Sequence, residues 1–247
     1  MKYYFLSDAH LGSLTVSDPA AHQAKFIGWL EMAAADGDAI FLLGDIFDFW
    51  FEFPKAIPEG YDAVIETIRR TVQRGVEVHF FCGNHDQWTF GYLESHCGVK
   101  LHRKEFVTQL CGKTFFMHHG HGLGEMSRAT RRLNALFESR ISRWLFRYLM
   151  PPRAAWSFGY KWSERNRLRH SEHDGVFLGE NNEPQVIFAK HYSAEHPGTD
   201  YIVMGHRHIE LNLMLATGTQ LVILGDFFSL FTYAVFDGKD ISLETYL

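Results

Sequence analysis

Near the start of the chain stands the segment Tyr3-Tyr4-Phe5-Leu6-Ser7-Asp8-Ala9-His10, in which an apolar, aromatic run is followed at once by a carboxylate and an imidazole. A short run of this composition is typical of a buried β-strand. Residues two apart in an extended segment project to the same side, so Asp8 and His10 can act on one ligand. The segment therefore predicts a buried strand that delivers two polar side chains at its carboxyl end.

The same arrangement occurs four more times along the chain. Comparable apolar runs cover residues 39–43, 76–82, 114–117 and 201–204, and a polar cluster follows each within a residue or two. These clusters are Gly44-Asp45-Ile46-Phe47-Asp48, Gly83-Asn84-His85-Asp86, His119-Gly120-His121 and Gly205-His206-Arg207-His208. In an open α/β sheet, the carboxyl ends of successive strands meet at one rim. We therefore expect the five clusters to form one site.

Helical patterns lie between the predicted strands. Residues 20–35 and 62–74 each carry apolar side chains at steps of three and four, as an amphipathic helix does. The apolar tract 211–236 is broken by Gly218 and Gly225 into runs too short to span a bilayer, so it predicts buried strands. The alternation of strand and helix indicates an α/β fold.

Composition limits the class of protein. A length of 247 residues without a linker-like stretch predicts a single domain, residues 1–247. Three cysteines without CxxC spacing argue against a disulfide framework and fit a reducing cytosol. The segment before Asp8 is too short for a cleaved signal peptide. A formal net charge of -5 gives no reason to expect a nucleic-acid partner. The 22 Phe residues fit either a Phe-rich core or an apolar binding surface.

The clusters offer carboxylates, an amide oxygen and imidazoles, but no thiolates. Such a mixture suits Mn²⁺, Fe²⁺ or Zn²⁺. Two divalent cations beside only two carboxylates, Asp8 and Asp45, would leave excess positive charge that attracts an anionic phosphate. A lone Asp-x-His is common by chance, and a lone His is more often a core or surface residue than a ligand. Five clusters in this order, each ending a strand, favour a two-metal phosphoesterase.

Written as DxH, GDxxD, GNHD, HGH and GHxH, the clusters resemble the calcineurin-like metallophosphoesterase superfamily over nearly the whole chain. The resemblance implies a four-layer α/β/β/α sandwich that holds two metal ions, with Asp45 as the bridge. It assigns one ion to Asp8, His10, Asp45 and His208, and the other to Asp45, Asn84, His119 and His206.

The expected mechanism follows from these ligands. A water shared by two such cations becomes hydroxide near neutral pH and can attack phosphorus in line, so no protein nucleophile is needed. We expect Asp45, Asn84 and His85 to be the catalytic residues, with His85 donating a proton to the phosphate or leaving oxygen. Asp48 or Asp86 either orients an imidazole or caps a loop.

Residues 126–170 form a predicted helical cap inserted between the HGH and GHxH clusters. The segment carries 11 basic and 2 acidic residues, a formal +9, whereas the rest of the chain carries -14. One apolar stripe at helical spacing comprises Leu133, Leu136, Phe137, Ile141, Trp144, Leu145, Tyr148 and Leu149. A helical hairpin docked on the core with solvated arginines is one interpretation. A basic, apolar cap over a substrate with acyl chains and a phosphate is the other, and the direct exit from His119-Gly120-His121 favours it.

This insertion makes the chain similar to the UDP-2,3-diacylglucosamine pyrophosphohydrolases of lipid A synthesis. Further matches are the segments 6–11, 44–50 and 222–226. The resemblance implies hydrolysis of the α-phosphate bond to give UMP and 2,3-diacylglucosamine 1-phosphate, with Mn²⁺ as the usual metal and a cap over the acyl chains. The best-known branch has Arg in place of His85 and Asp in place of His121, so a different phosphoester substrate stays open.

The candidate substrate contacts are Trp50, Trp144, Trp156, Lys161 and Arg165. The aromatic run from Phe47 to Phe53 either walls an acyl groove or anchors its loop to the core. The expected partners are a nucleotide-linked glycolipid and an anionic membrane surface. We expect the protein in the cytoplasm, at the periphery of the inner membrane of a Gram-negative bacterium.

Two other functions compete with this hypothesis. One is a soluble phosphodiesterase or nucleotide phosphatase whose aromatic, basic insertion stacks bases. The other is a non-catalytic scaffold, since some members of this fold have lost their metal ligands. Seven intact ligands argue against a scaffold.

Overall fold

The computed structural model describes residues 1–124, 136, 139–170 and 175–247, without the side chains of residues 140, 164 and 166–170. The strands of these ranges are β1 (Tyr3–Leu6), β2 (Ala39–Leu42), β3 (Glu77–Phe81), β4 (Lys100–His102), β5 (Phe106–Leu110), β6 (Lys113–His118), β7 (Tyr201–Met204), β8 (Glu210–Met214), β9 (Gln220–Leu224), β10 (Thr232–Phe236) and β11 (Ile241–Thr245). The helices are α1 (Pro19–Asp36), α2 (Asp62–Gln73), α3 (Arg140–Leu149), α4 (Pro152–His170) and α5 (Pro184–Glu195), with a π-helical turn at Leu93–Cys97.

The first sheet has six strands in the order β11-β10-β1-β2-β3-β4. Strands β1 to β4 are parallel, and β10 runs antiparallel to β1. Leu6 lies opposite Leu42, which lies opposite Phe80, so these three strands finish nearly level. The first three polar clusters consequently leave the sheet side by side.

The second sheet has five strands in the order β5-β6-β7-β9-β8. Its central strands β6 and β7 are parallel, with His118 opposite Met204. The segments that follow them, which start at His119 and Gly205, therefore emerge together. The five clusters thus come from two sheets, as the α/β/β/α arrangement requires, and both sheets bring these strand ends to the same side.

Three cores hold four layers together. Helices α1 and α2 cover the outer face of the first sheet, where Phe26 and Ile65 pack against Leu6 and Leu42. Between the sheets, apolar side chains from both inner faces interdigitate, and the rings of Phe5 and Phe115 stack 5.9 Å apart. Helix α5 covers the outer face of the second sheet through residues that include Val186 and Ala189. The four-layer α/β/β/α sandwich is confirmed.

The strand predictions hold to within one or two residues where both faces are buried. In the tract 211–236, however, only β9 is an almost continuously buried strand. Strand β8 lies at the edge of the second sheet and alternates between exposed and half-buried residues. An edge strand has one neighbour and one uncovered side, which an apolar composition alone does not reveal.

Two helices of the predicted cap lie within the described residues. Helix α3 begins after Ser139, whose side chain accepts a hydrogen bond from the backbone N–H of Ser142, and α4 begins at Pro152, where a missing N–H costs no helical hydrogen bond. Leu133 and Phe137 of the predicted stripe lie outside the described residues. Among the described helices, none combines the length and apolar character needed to cross a bilayer.

The side of helix α3 that contacts the core is not its apolar stripe. Its contact with the core is made by Phe146, whose ring lies 4.9 Å from that of Phe51, and by Arg147, which lies over the ring of Phe90. The described members of the apolar stripe are all exposed: Leu136, Ile141, Trp144, Leu145, Tyr148 and Leu149. Helix α3 is therefore docked on the core, but its arginines at 143 and 147 are half-buried and its apolar stripe faces outward.

Candidate metal centre

The polar side chains of the site leave their strands through backbone turns that few residues adopt. Asp8, His10, Asp45, His206 and His208 have φ values of 54°, 45°, 52°, 73° and 52°. A non-glycine residue with positive φ is uncommon and costs conformational energy, and such residues concentrate at functional sites. Five of the seven predicted ligands therefore share a strained geometry that turns them into one pocket.

The first half of the site brings together Asp8, His10 and His208. Nε2 of His208 lies 3.2 Å from Oδ1 of Asp8 and 3.3 Å from Nε2 of His10. The ligand atoms of all three residues lie within 4.8 Å of one another, close enough to share a metal ion. Asp8 is held by its other oxygen, which accepts a hydrogen bond of 2.7 Å from the backbone N–H of His206.

The second half brings together Asp45, His119 and His206, whose ligand atoms also lie within 4.8 Å of one another. Nε2 of His119 lies 3.3 Å from Oδ2 of Asp45 and 3.2 Å from Oδ1 of Asn84. The same Oδ2 of Asp45 lies 3.9 Å from Nε2 of His10, in the first half. Asp45 thus stands between the two groups, where the sequence placed a bridge.

Close backbone approaches permit this convergence. A Cβ atom on Gly44, which has a φ of 88°, would lie 2.7 Å from Nδ1 of His119. A Cβ atom on Gly205 would collide with the side chains of Ser7 and Asp8. Glycine is required at both positions because the strand ends touch there.

The donor atoms suit divalent metal ions. Nδ1 of His119 donates to the carbonyl oxygen of Leu43 at 2.7 Å, which leaves Nε2 with a lone pair that faces Asp45 and Asn84. Nδ1 of His10 lies 3.3 Å from Oδ1 of Asp48, a carboxylate behind the imidazole. Such a partner on the far nitrogen is the usual support of a metal-binding histidine.

Oδ1 of Asp8 is buried without a hydrogen-bond partner among the described residues. A buried, unsatisfied carboxylate oxygen aimed at two imidazoles fits a bound cation.

The buried charges shift the pKa values of these groups. Burial alone would raise the pKa of Asp8, but contact with His10 and the charge of His119 outweigh burial and hold that pKa far below its usual range. Burial opposes a charge on His10 as well, yet bonding to Asp48 and Asp8 raises the pKa of His10 to about 10. Burial and the charge of His119 lower the pKa of His206 to about 3. Because metal ligands must be deprotonated, a cation that binds here competes with the protons on His10 and His119.

The two remaining carboxylates of the motifs have different roles. Asp48 lies behind His10, and its backbone carbonyl accepts a hydrogen bond of 2.7 Å from Nδ1 of His85. Asp86 instead accepts backbone hydrogen bonds from Gly83 at 2.7 Å and Ile46 at 2.8 Å. The structure therefore resolves the open alternative, with Asp48 contacting imidazoles and Asp86 capping a loop.

The two histidines that depart from the lipid A branch both lie at the site. His85 donates its backbone N–H to Oδ1 of Asp45 at 2.8 Å, and its Nε2 lies 4.0 Å from Oδ2 of the same carboxylate. The ring of His121 lies 5.3 Å from that of His119 and 6.3 Å from that of His206. Nδ1 of His121 is buried and has no hydrogen-bond partner within the part of the chain that is described.

The candidate substrate contacts divide into two groups. Trp50 is fully buried and donates from Nε1 to Glu52 at 3.2 Å, and Trp156 donates from Nε1 to the carbonyl of Phe51 at 3.1 Å. The ring of Trp50 packs against Phe47 in the core of the first sheet, and that of Trp156 packs against Phe53 between loop and cap. The assignment of Trp50 and Trp156 as substrate contacts is corrected to packing. The aromatic run from Phe47 to Phe53 likewise anchors its loop, because only Phe49 is more than slightly exposed.

Trp144, Lys161 and Arg165 form the second group, since all three are exposed. Trp144 lines a groove of about 460 Å³ between α3 and the segment 89–94, together with the arginines at 103, 143 and 147. The groove is lined by basic and aromatic side chains, lies between the cap and the core, and has none of the predicted metal ligands in its lining.

The sequence missed two contacts of the metal site and one that joins the cap to the core. Ser163 on α4 donates a hydrogen bond of 2.9 Å to Oδ2 of Asp48. The Tyr160 hydroxyl lies 2.8 Å from that of Tyr61, and Phe228 packs edge-on against His10 with ring centroids 5.6 Å apart. No local pattern marks these residues, although Trp156, Tyr160 and Ser163 share helical spacing on one face of α4.

Comparison with known proteins gives a consistent result. Residues 1–210 match the calcineurin-like phosphoesterase family. A Porphyromonas gingivalis protein named UDP-2,3-diacylglucosamine hydrolase is 34% identical over 260 residues, which cover 99% of this chain and 97% of that protein. An Actinobacillus succinogenes protein of the same name is 31% identical over 148 residues, 60% of this chain and 61% of that protein. The solved structure of Yfce, a phosphoesterase from E. coli, is 19% identical and superposes with a TM-score of 0.47 over 100% of this chain and 93% of that chain.

Proposed function

Since this chain belongs to the calcineurin-like phosphoesterase family, we propose that it hydrolyses UDP-2,3-diacylglucosamine to UMP and 2,3-diacylglucosamine 1-phosphate. The observation that carries the proposal is the similarity to the Porphyromonas gingivalis protein, which extends over 99% of the chain and so includes the cap. A shared metal site alone would support only phosphoester hydrolysis, because many enzymes of the superfamily have one.

The proposed metal site contains two ions with seven ligands. Asp8, His10, Asp45 and His208 would hold one ion, and Asp45, Asn84, His119 and His206 would hold the other. We propose Mn²⁺, which the resemblance implies as the usual metal and which oxygen and imidazole donors without thiolate suit, as they also suit Fe²⁺ and Zn²⁺. When bound, the two cations supply Lewis acidity at phosphorus and lower the pKa of water for the attack.

His85 is the proposed proton donor to the leaving oxygen. Its Nδ1 donates to the carbonyl of Asp48, so a transferable proton must sit on Nε2, which faces the site. Burial lowers the pKa of His85, and therefore a protonated ring gives up its proton readily. An anionic phosphate next to Nε2 favours the protonated form at the moment when a proton is needed.

The cap supports a lipid-linked substrate rather than a soluble one. Residues 126–170 carry a formal +9, and the described side of α3 that faces outward is apolar. Basic residues complement phosphates, and outward apolar side chains match acyl chains or the interface of a bilayer. We therefore propose that the protein works at the periphery of the inner membrane, on its cytoplasmic face, with Trp144, Lys161 and Arg165 near the substrate.

The proposal is tested by comparing substrates at equal enzyme and Mn²⁺ concentrations. We expect kcat/KM for UDP-2,3-diacylglucosamine to exceed the values for bis-p-nitrophenyl phosphate and for UDP-glucosamine by about 10³-fold or more, because binding energy from the acyl chains is available only to the lipid. Equal values for the three substrates would support a soluble phosphodiesterase instead. Purified protein without stoichiometric transition metal and without turnover would support a scaffold.

A further inference from the structure

We propose that Ser163, on cap helix α4, is a positioning residue of the metal centre that sets the orientation of His10 through Asp48. The cap is then part of the metal site as well as a cover for substrate. The inference rests on the proposed role of His10 as a metal ligand, and it does not depend on which phosphoester is hydrolysed.

The contact that carries the inference is a buried hydrogen bond between the cap and the core. Ser163 is 2% exposed, and its hydroxyl donates to Oδ2 of Asp48 at 2.9 Å. Its Oγ also lies 3.2 Å from Nδ1 of His85. A serine at this depth has no solvent to satisfy its hydroxyl, so the bond to the carboxylate fixes both partners.

Asp48 connects this serine to two imidazoles of the site. While Oδ2 accepts from Ser163, Oδ1 lies 3.3 Å from Nδ1 of His10, and the backbone carbonyl accepts from His85. Asp48 is itself 1% exposed. Its carboxylate is therefore hydrogen-bonded to the cap through Oδ2, while Oδ1 lies within ion-pair distance of the proposed metal ligand His10.

The packing of α4 on the core fixes the position of Ser163 beside Asp48. Residues 156, 159, 160 and 163 lie at helical spacing on one face, which packs on the loop that follows β2. Trp156 bonds to the carbonyl of Phe51, and a Cβ atom on Gly159 would collide with the ring of Phe49. The absence of a side chain at Gly159 lets the helix approach closely enough for Ser163 to reach Asp48.

Loss of the serine hydroxyl should weaken metal binding for a physical reason. Without its donor, the Asp48 carboxylate can rotate, and His10 loses the partner that orients its ring toward the ion. Removal of such outer partners lowers metal affinity by about 10- to 100-fold in characterised metal sites. A contact that merely attaches the cap would affect stability but not the affinity of the ions.

The test is a titration of the metal-depleted full-length protein with Mn²⁺, in which free Mn²⁺ is followed by electron paramagnetic resonance. We expect Ser163→Ala to raise the dissociation constant of one of the two ions by about tenfold or more. The matched control is Tyr160→Phe, which removes another cap hydrogen bond one turn away, to Tyr61, without touching Asp48. This variant should keep both dissociation constants within about twofold of the wild-type values.

A second variant shows whether Ser163 acts through Asp48. Asp48→Asn should weaken the same ion, and Ser163→Ala should add little to it in the double variant, because coupled residues are not additive. The inference is overturned if Ser163→Ala binds both ions as the wild type does, or if Tyr160→Phe weakens them equally. If the proposed substrate is wrong but the role of Ser163 is right, the wild-type protein will bind two ions without preferring the diacylated UDP-sugar.

Discussion

Oδ2 of Asp45 lies 3.3 Å from Nε2 of His119 and 3.9 Å from Nε2 of His10, so a single carboxylate faces ligands of both proposed ions. Asp45→Asn keeps the volume of the side chain but removes its negative charge. We expect the bound metal to fall from two ions to one or none and kcat to fall by roughly 10³-fold, because charge stabilisation by a metal is worth several kcal/mol. Metal analysis of dialysed protein and steady-state kinetics check both values.

The matched control is Asp240→Asn, which changes an exposed carboxylate in the turn between β10 and β11, near the amino end of β1 and away from its carboxyl end. It should leave the metal content and kcat unchanged. Two bound ions and normal turnover in Asp45→Asn would contradict the bridging role.

At this scale the sequence predicts residues that belong to short motifs. Asp8 and His10 were found because each cluster follows a strand at once, but both have positive φ and not the extended backbone that their spacing suggested. Ser163 could not be found in this way, because its contact with Asp48 joins residues 115 positions apart. Its spacing marks a helix face, but only the docked helix shows which loop that face meets.

At the scale of elements, two neighbouring strands carry a pair of histidines away from the metal centre. Nδ1 of His79 on β3 and Nε2 of His102 on β4 lie 2.9 Å apart. One ring must donate and the other accept, so the pair cannot carry protons on both of these nitrogens. Burial, with the nearby charges of His79 and Lys100, lowers the pKa of His102 from 6.5 to about 4, and burial also lowers the pKa of His79.

These pKa shifts make the free energy of unfolding decrease as the pH falls. Both folded pKa values lie below the unfolded ones, so the unfolded chain takes up protons first as the pH falls. The contribution of the pair is complete above about pH 6.5 and is lost as the pH falls toward about 4. We expect the urea midpoint of metal-free protein to fall in this window, and to fall less steeply in His102→Asn.

His191→Asn is the control, since that histidine is exposed on α5. The urea midpoint of this variant should fall with pH as steeply as that of the wild type. An unaltered slope in His102→Asn would show that the pair at β3 and β4 does not cause the acid sensitivity.

The elements themselves were predicted to different degrees. Strands buried on both faces, such as Tyr201–Met204, were located closely because a short, unbroken apolar run is typical of a strand that is covered on both sides. The division into two sheets could not be derived from periodicity, since it depends on distant pairings such as Phe5 with Ala234. The direction of the apolar stripe on α3 was left open by the sequence, because it depends on the contacts of Phe146 and Arg147 with the core.

At the scale of the whole molecule, charge and apolar surface are segregated. Residues 126–170 carry a formal +9 against -14 elsewhere, and Trp144 is 57% exposed. We expect the protein to sediment with vesicles that contain phosphatidylglycerol, to bind phosphatidylcholine vesicles weakly, and to be released as salt is raised, because the attraction is screened.

The contribution of apolar side chains to vesicle binding can be separated from that of charge. Trp144→Ala combined with Leu145→Ala should reduce sedimentation with the anionic vesicles, since both exposed side chains lie on α3. Val107→Ala, at another exposed apolar residue on β5, should have no effect. Binding that is equal for the double variant and the wild type would exclude α3 as the membrane contact.

The most direct test of the proposed reaction is product analysis after hydrolysis of UDP-2,3-diacylglucosamine in water enriched with heavy oxygen. Attack of water at the α-phosphorus predicts UMP that carries the label and 2,3-diacylglucosamine 1-phosphate that does not, at a rate that is abolished by chelation and restored by Mn²⁺. Absence of both products, or heavy oxygen in the sugar phosphate instead of UMP, would contradict the proposed reaction.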